Sequence, residues 1–371
     1  MIRAIRYSLR LLAKSPGFTA VAVLALAFGI GANTAIYSLA DVLLFRPLLL
    51  PDLDRVVTVI ASDRSNRKGF GQIPPADFLD YQRSTQTIDR LAAWAQTNLN
   101  LTGDGEPERL SVARVSSGFF AGLGAQPILG RVFLDGEFTP GQDRVIVLSH
   151  SLWSTRFASD PQILTRIVQL EGRDYRVAGV MSRDFVYPPE TDLWTPMTMD
   201  TKQRNERVAG ILGVIGRLKP GVSLAQANAE IESLAARIAE QFPESHHRRT
   251  ARVELLREYV SGNLVADFTR MLLGSVAFVL LIACLNVANL QFARVSLRSK
   301  EIAIRTALGA SRFRVVSQFL TESTLLGILG AAGGIVLAYW GLHLMRPAIP
   351  PAVQRELPGW VHLGINSHVL L

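Results

Sequence analysis

One cysteine, five lysines and not a single glycine–lysine step are the shortages that bound this 371-residue chain. With Cys284 alone, no internal disulfide can form, and a disulfide-stapled scaffold is excluded. Because no lysine follows a glycine, the phosphate-cradling pattern G-x-x-x-x-G-K-S/T does not occur, and the chain has no ordinary ATP site of its own. Gly-x-Ser occurs at Gly221–Ser223 and Gly309–Ser311, but neither continues to a second glycine, so no nucleophile elbow is present. The neighbours His246 and His247 lack H-E-x-x-H spacing and read as a solvated polar turn. Asp77 and Asp80 form a carboxylate pair, yet "PPADFLDYQR" (74–83) reads more simply as a helix start with acids in its first turn. An enzyme is the weak hypothesis, and no catalytic residue, metal site or cofactor is expected in this chain.

Charged residues are also few, at 19%, against 49% hydrophobic. The mean hydropathy of +0.23 is above what soluble domains usually show, which favours a membrane class. Three runs carry no charge: Ser15–Ala40 (26 residues), Met271–Ala293 (23) and Ser323–Met345 (23). A helical span needs about 20 apolar residues, so each is long enough to cross a bilayer. The alternatives are a buried core helix and, for the first run, a cleaved signal peptide. Residues 1–17 sum to +4 and residues 294–314 to +5, leaving −1 for the rest of a chain of net charge +8. Positive charge confined to two short segments places both in the cytoplasm and the region between the first two spans outside. The basic balance is thus a topology signal, and no nucleic acid partner is expected.

Arg3, Arg6, Arg10 and Lys14 recur at helical spacing, with Ile2, Ile5, Leu9 and Leu12 on another face. The pattern predicts a basic amphipathic helix on the anionic inner leaflet, turned into the first span at Pro16–Gly17; a frayed terminus is the alternative. The outer region reads as mixed α and β, enough for one large domain or two small ones. Strand-like runs are "RVVTVI" (55–60), "RVIVL" (144–148), "RIVQL" (166–170), "YRVAGV" (175–180) and "GVIGRL" (213–218), with "EGRD" (171–174) as a hairpin turn. The clearest helix is 223–242, capped by Ser223 with Gln226, its stripe formed by Leu224, Ala227, Ile231, Leu234, Ile238 and Phe242.

A basic stretch, "RSKEIAIRTALGASR" (298–312), separates the last two apolar runs. Glu301 and Arg305 make an i,i+4 pair, Ile304 and Leu308 share a face, Gly309 stands where a helix would end, and Ser311 can cap the next one. The next helix is expected to run unbroken to about Met345, longer than the hydrocarbon core, so its first turns project into the cytoplasm. A short helix, a glycine turn and a projecting long helix make a stiff handle; the alternative is a positive loop that only fixes topology.

This loop, continued as "EIAIRTALGASRFRVVSQFLTES" (301–323), resembles the signature loop of the MacB/FtsX-like permeases of ABC transporters. "RPLLLPDLDRVVTV" (46–59) is similar to the segment leading into that family's extracytoplasmic domain. "VSSGFFAGLGAQPILGRVF" (115–133), "VIVLSHSLWSTRFASDP" (145–161), "VQLEGRDYRVAGVM" (168–181) and "IGRLKPGVSLAQA" (215–227) resemble its MacB-like periplasmic core segments. The large duplicated permease called ADOP, which has no fused ATPase, is the most similar variety. The family's unit has a fourth span, and the chain stops at "INSHVLL" (365–371), where that span would begin. The resemblance therefore implies an N-terminal half, a fragment or truncated product.

What the resemblance implies is an α-helical membrane protein with a large mixed α/β extracytoplasmic domain inserted between the first and second transmembrane helices. The expected division is 1–16 cytoplasmic amphipathic helix, 17–45 first span, 46–268 core domain, 269–293 second span, 294–316 coupling loop, 317–346 third span, and 347–371 an outer segment leading to the absent fourth span. The implied function is mechanotransmission: a separate ABC ATPase binds ATP, and its motion passes through the loop to the outer domain, which exports or releases a substrate. Coupling to the ATPase would fall on Arg298, Glu301, Ile304, Arg305, Leu308, Gly309, Ala310 and Ser311. A second permease unit, as a homo- or pseudo-dimer, and membrane lipids complete the expected partners; Gly330, Gly333 and Gly334 would permit close helix packing, another permease unit being one candidate neighbour and a lipid-facing helix the alternative. The expected location is the bacterial inner membrane, multi-pass, with the N-terminus in the cytoplasm. The competing class is a membrane-anchored regulator or scaffold of an extracytoplasmic partner, without transport.

Overall fold

The structure, a computed structural model, describes residues 10, 12–41, 48–63, 69–103, 106–297 and 312–348. The chain forms two compact units, one on Arg46–Asn263 and one on the helical segments that flank it in sequence. In chain order the helices are α1 (Pro16–Ala40), α2 (Pro75–Ser84), α3 (Phe119–Leu123), α4 (His150–Arg156), α5 (Thr201–Arg204), α6 (Leu224–Gln241), α7 (Pro243–His246), α8 (Leu256–Ser261), α9 (Asn263–Leu297) and α10 (Arg312–Ala348). The strands are β1 (Val56–Asp63), β2 (Gly69–Gly71), β3 (Ile88–Thr102), β4 (Glu108–Val115), β5 (Pro127–Gly130), β6 (Val145–Leu148), β7 (Ile167–Leu170), β8 (Arg173–Met181), β9 (Leu193–Pro196), β10 (Gly213–Leu218) and β11 (Arg249–Leu255).

These strands make one sheet in the order β11-β1-β10-β3-β4-β9-β6-β8-β5, with β2 on β1 and β7 on β3 and β8. The pairs β4/β9 and β6/β8 are parallel and the other named pairs antiparallel. Alternation of side chains along each strand gives the sheet two apolar faces, and three clusters fill them. One packs Val57, Val59, Val214 and Val253 against α2 and α6. A second is aromatic, with Phe119, Phe120, Phe133, Phe185, Tyr187 and Trp194. The third gathers Ile146, Leu152, Ile163, Val168 and Val177 around α4.

Local chemistry sets the element ends. Ser223 and Gln226 form the expected capping box of α6: Gln226 N–H donates to Ser223 Oγ (3.3 Å) and Ser223 N–H to Gln226 Oε1 (2.8 Å). The buried stripe of α6 is Ala227, Ile231, Leu234, Ala235, Ile238 and Ala239. Phe242 departs from the expected stripe: it follows the helix, is 38% exposed, and carries the Arg207 guanidinium over its ring at 4.0 Å. The β7–β8 hairpin closes on Glu171 and Gly172, both at positive φ, while Arg173 and Asp174 already belong to β8. A two-residue turn with both positions left-handed matches strand twist, and glycine supplies one of them at no steric cost. Glu230 on α6 accepts from the Thr85 hydroxyl (2.8 Å), Gln86 N–H (2.7 Å), Thr87 N–H (3.0 Å) and the Thr87 hydroxyl, tying the end of α2 to α6.

In the helical unit, α1, α9 and α10 contain, among the described residues, three segments long and apolar enough to cross a membrane: Pro16–Ala40, Asp267–Arg294 and Phe319–Met345. Their packing shows the close helix contact expected of the glycines in α10 and names the neighbour. Gly330, Gly333 and Gly334 lie against α1 of the same chain, and no second permease unit is needed to explain them. A Cβ on Gly330 would sit 2.5 Å from Leu26 Cβ, and one on Gly31 would sit 2.9 Å from the Gly334 carbonyl. Two helices in an apolar solvent gain their contact from backbone approach, which these glycines permit.

Candidate functional site

The expected ATPase-coupling residues Arg298, Glu301, Ile304, Arg305, Leu308, Gly309, Ala310 and Ser311 lie outside the described residues, as do Arg3 and Arg6. What is described is the frame on either side. Helix α9 runs 35 residues to Leu297 and α10 runs 37 residues from Arg312. Of the basic amphipathic segment, Arg10 and Lys14 are exposed and Leu12 is buried. Lys14 N–H donates to the Arg10 carbonyl (3.1 Å) and Ser15 N–H to the Leu12 carbonyl (3.2 Å), closing the turn before Pro16.

The outer unit holds a buried ionic network that sequence reading missed. Asp77, in the first turn of α2, is 3% exposed. Its Oδ1 accepts from Arg207 Nη1 at 2.8 Å, and its Oδ2 lies 2.7 Å from His246 Nε2. The second arm of Arg207 donates to Asp80 Oδ2 at 2.8 Å. His246 Nδ1 lies 2.7 Å from Ser245 Oγ. Burial, then the charges of Asp77 and Asp80, push the adjacent Tyr81 hydroxyl far above its usual range, against an opposing effect of Arg207. The reading of His246–His247 as a solvated turn is therefore half wrong: His247 is exposed, but His246 is 4% exposed and held against Asp77. No local signal marks the network, because Asp77, Arg207 and His246 meet only when α2, the segment after α5, and α7 pack together.

Ser245, His246 and Asp77 stand in the order of a hydrolytic triad, but their setting is that of a brace. Ser245 adjoins His246 in the chain and also bonds back to the Phe242 carbonyl (3.3 Å). The cavity beside Asp77, Tyr81 and His246 is about 10 Å³, room for one water at most and none for a substrate. Fork-like pairing of Arg207 with two carboxylates, and the imidazole on the far oxygen, leave both Asp77 oxygens satisfied at a buried position, as such a charge requires.

Comparison with known proteins bears on both units. Residues 19–234 match the MacB-like periplasmic core domain and residues 273–367 the FtsX-like permease C-terminal region. The chain is similar to the ABC transporter permease YknZ of Bacillus subtilis (strain 168), 24% identical over 58% of this chain and 53% of that protein. It is similar to the macrolide export ATP-binding/permease protein MacB of Agrobacterium fabrum, 23% identical over 82% of this chain and 47% of that protein. The chain spans about half the length of these curated relatives. Among solved structures, the periplasmic region of MacB from Actinobacillus actinomycetemcomitans aligns with a TM-score of 0.41 at 14% identity, over 54% of this chain and 88% of that one.

Proposed function

Because the chain belongs to the MacB/FtsX-like permease family, we propose that it is the permease part of an ABC transporter, carrying ATPase motion to an extracytoplasmic domain that exports or releases a substrate. The carrying observation is the pair of continuous helices around residues 298–311. At 35 and 37 residues, α9 and α10 are each about 50 Å long, against a hydrocarbon core of about 30 Å. Helices that outrun the bilayer are stiff levers, and the loop joining them is where a force from outside the membrane would enter.

In this reading ATP is bound by a separate ABC ATPase. Ile304 and Leu308 supply the apolar face that docks on it, flanked by Arg298, Glu301 and Arg305, with Gly309, Ala310 and Ser311 turning the chain into α10. A second permease unit completes the assembly in the bacterial inner membrane, with the N-terminus and Arg3, Arg6, Arg10 and Lys14 on the cytoplasmic face. The test is co-purification of an ABC ATPase with the chain, and stimulation of its ATP hydrolysis. Leu308→Asp would bury an unpaired carboxylate at the docking face, which costs about 2–5 kcal/mol of association. Loss of the ATPase from the purified complex is expected. A variant that binds and stimulates like the parent would reject docking at this face.

A further inference from the structure

Near one end of the bundle the three long helices are tied together by side chains, at Arg294 and Gln291 within the last two turns of α9 and at Ser323 of α10, about three turns after Arg312. Arg294, three residues before the end of α9, donates from Nη2 to Ser15 Oγ at 2.5 Å, and its guanidinium carbon lies 4.6 Å from the centre of the Phe18 ring. Ser15 and Phe18 frame the start of α1, and Thr19 Oγ1 bonds back to the Leu12 and Ser15 carbonyls (2.9 and 3.0 Å), holding that turn closed. One turn earlier on α9, Gln291 Oε1 accepts from Ser323 Oγ of α10 at 3.0 Å. Next to this polar layer Ala22 and Leu26 of α1, Val287 of α9 and Leu326 of α10 form an apolar cluster, which Leu12 joins from the segment before α1.

We propose that this layer is the joint through which displacement of residues 298–311 reaches the whole bundle, with Arg294 and Gln291 as positioning residues that lock α9 to α1 and to α10. The inference rests on the reading that the loop receives motion from an ATPase. Its physical basis is directional. A helix in lipid has no hydrophobic drive toward its neighbours, since lipid tails are as apolar as its own side chains, so large apolar side chains alone hold the register of α9 weakly. A pull on the end of α9 would let that helix slide past its neighbours. Hydrogen bonds and a stacked guanidinium resist sliding, because a polar group left unpaired there is costly. Arginine suits the position better than lysine: its planar head can bond Ser15 and cover Phe18 together, while an ammonium satisfies one at a time.

The test uses the full chain in membranes with the ABC ATPase that co-purifies with it, comparing ATP with ADP. The readouts are ATPase binding, ATP hydrolysis, and the nucleotide-dependent change in proteolytic protection of the outer unit. Arg294→Ala and Gln291→Leu should bind the ATPase as the parent does and lose at least fivefold of the outer-unit response. Arg294→Lys should lose part of it. Ser15→Ala, which keeps the charge and the ring contact, should lower the response without altering insertion, and it decides the matter if Arg294→Ala fails to insert. A purely structural role would reduce binding and response together. Parent-like response in Arg294→Ala, or in Ser15→Ala where that variant decides, would overturn the joint while leaving the transporter reading intact. Absence of any ABC ATPase from the parent would overturn that reading, and the joint with it.

Discussion

Asp77 illustrates how a residue of ordinary appearance acquires a role only in the fold. In sequence it is one acid at a helix start, where a negative charge favours the helix dipole. In the fold it also holds Arg207 and His246, 130 and 169 positions away. Asp77→Ala would leave His246 without its carboxylate partner and Arg207 with Asp80 alone, and breaking a buried pair from one side costs about 3–5 kcal/mol. A clear fall in the melting temperature of the detergent-solubilised chain is the expected result. Ser245→Ala removes only the hydroxyl that meets His246 Nδ1 and the Phe242 carbonyl, leaves the Asp77–Arg207 pair intact, and should cost less, about 1 kcal/mol; losses of equal size in the two variants would contradict the brace. Glu230 gives a pH dependence. Burial pushes its carboxyl up, but bonds from the Thr87 hydroxyl, Gln86 N–H, Thr85 hydroxyl and Thr87 N–H outweigh that and hold it below the usual carboxylate range. A carboxyl lowered on folding adds stability above its unfolded pKa of about 4.3, and that contribution disappears as pH falls through the folded value. Parent and Glu230→Gln should therefore differ in melting temperature by a constant amount from pH 6 to 8 and converge below about pH 4. The brace was not legible in the sequence, because its members are assembled from three separate stretches, whereas a local reading can only propose residues that share one stretch, as 298–311 do.

Elements with a self-contained signal could be read directly. Helix α6 combines a stop at Pro220–Gly221, a capping box and a 3.6-residue apolar stripe, and strand β10 matches "GVIGRL" residue for residue. Strand β3 shows the opposite case. Its distal half, "AQTNLNLT", alternates between polar and aliphatic residues with only Leu101 buried, and it depends on register with β4, from Trp94↔Val115 to Leu101↔Glu108. A strand whose support is cross-strand pairing carries little propensity of its own. Helix α10 carries a prediction of this scale. Gly330→Leu would drive a side chain into Leu26 of α1, where even a Cβ falls at 2.5 Å, whereas a Cβ at Gly327 meets nothing within 4 Å. Overpacking of this sort costs about 1–3 kcal/mol. Gly330→Leu should lower the melting temperature of monodisperse, detergent-solubilised single chains, and Gly327→Leu should not. Sensitivity that vanished on dilution to monomer would mean the glycines serve a second permease unit after all.

For the whole molecule, division into a helical and a sheet-bearing unit could be anticipated from hydropathy, while the sheet order could not. Pairing of Val57 with Leu255 joins the two ends of the outer unit, and nothing local to either strand records it. Orientation is a different kind of property, carried by charge, which makes it testable without any contact. Residues 1–17 hold Arg3, Arg6, Arg10 and Lys14 with no acid, and residues 294–314 hold six basic residues with Glu301 alone. Lysine and arginine near span ends favour the cytoplasmic side. The sheet-bearing unit lies between these two segments in sequence and should face outward. In a Cys284→Ala background, a cysteine in place of Glu106, which is exposed on that unit, should react with a membrane-impermeant thiol reagent on intact cells. A cysteine in place of Ser299 should react only after permeabilisation. Both substitutions leave the lysine and arginine count unchanged, so neither disturbs the topology signal they report on. Labelling of Ser299→Cys on intact cells would put the 298–311 segment outside, beyond reach of any cytoplasmic ATPase, and would remove the physical basis of coupling through Ile304 and Leu308.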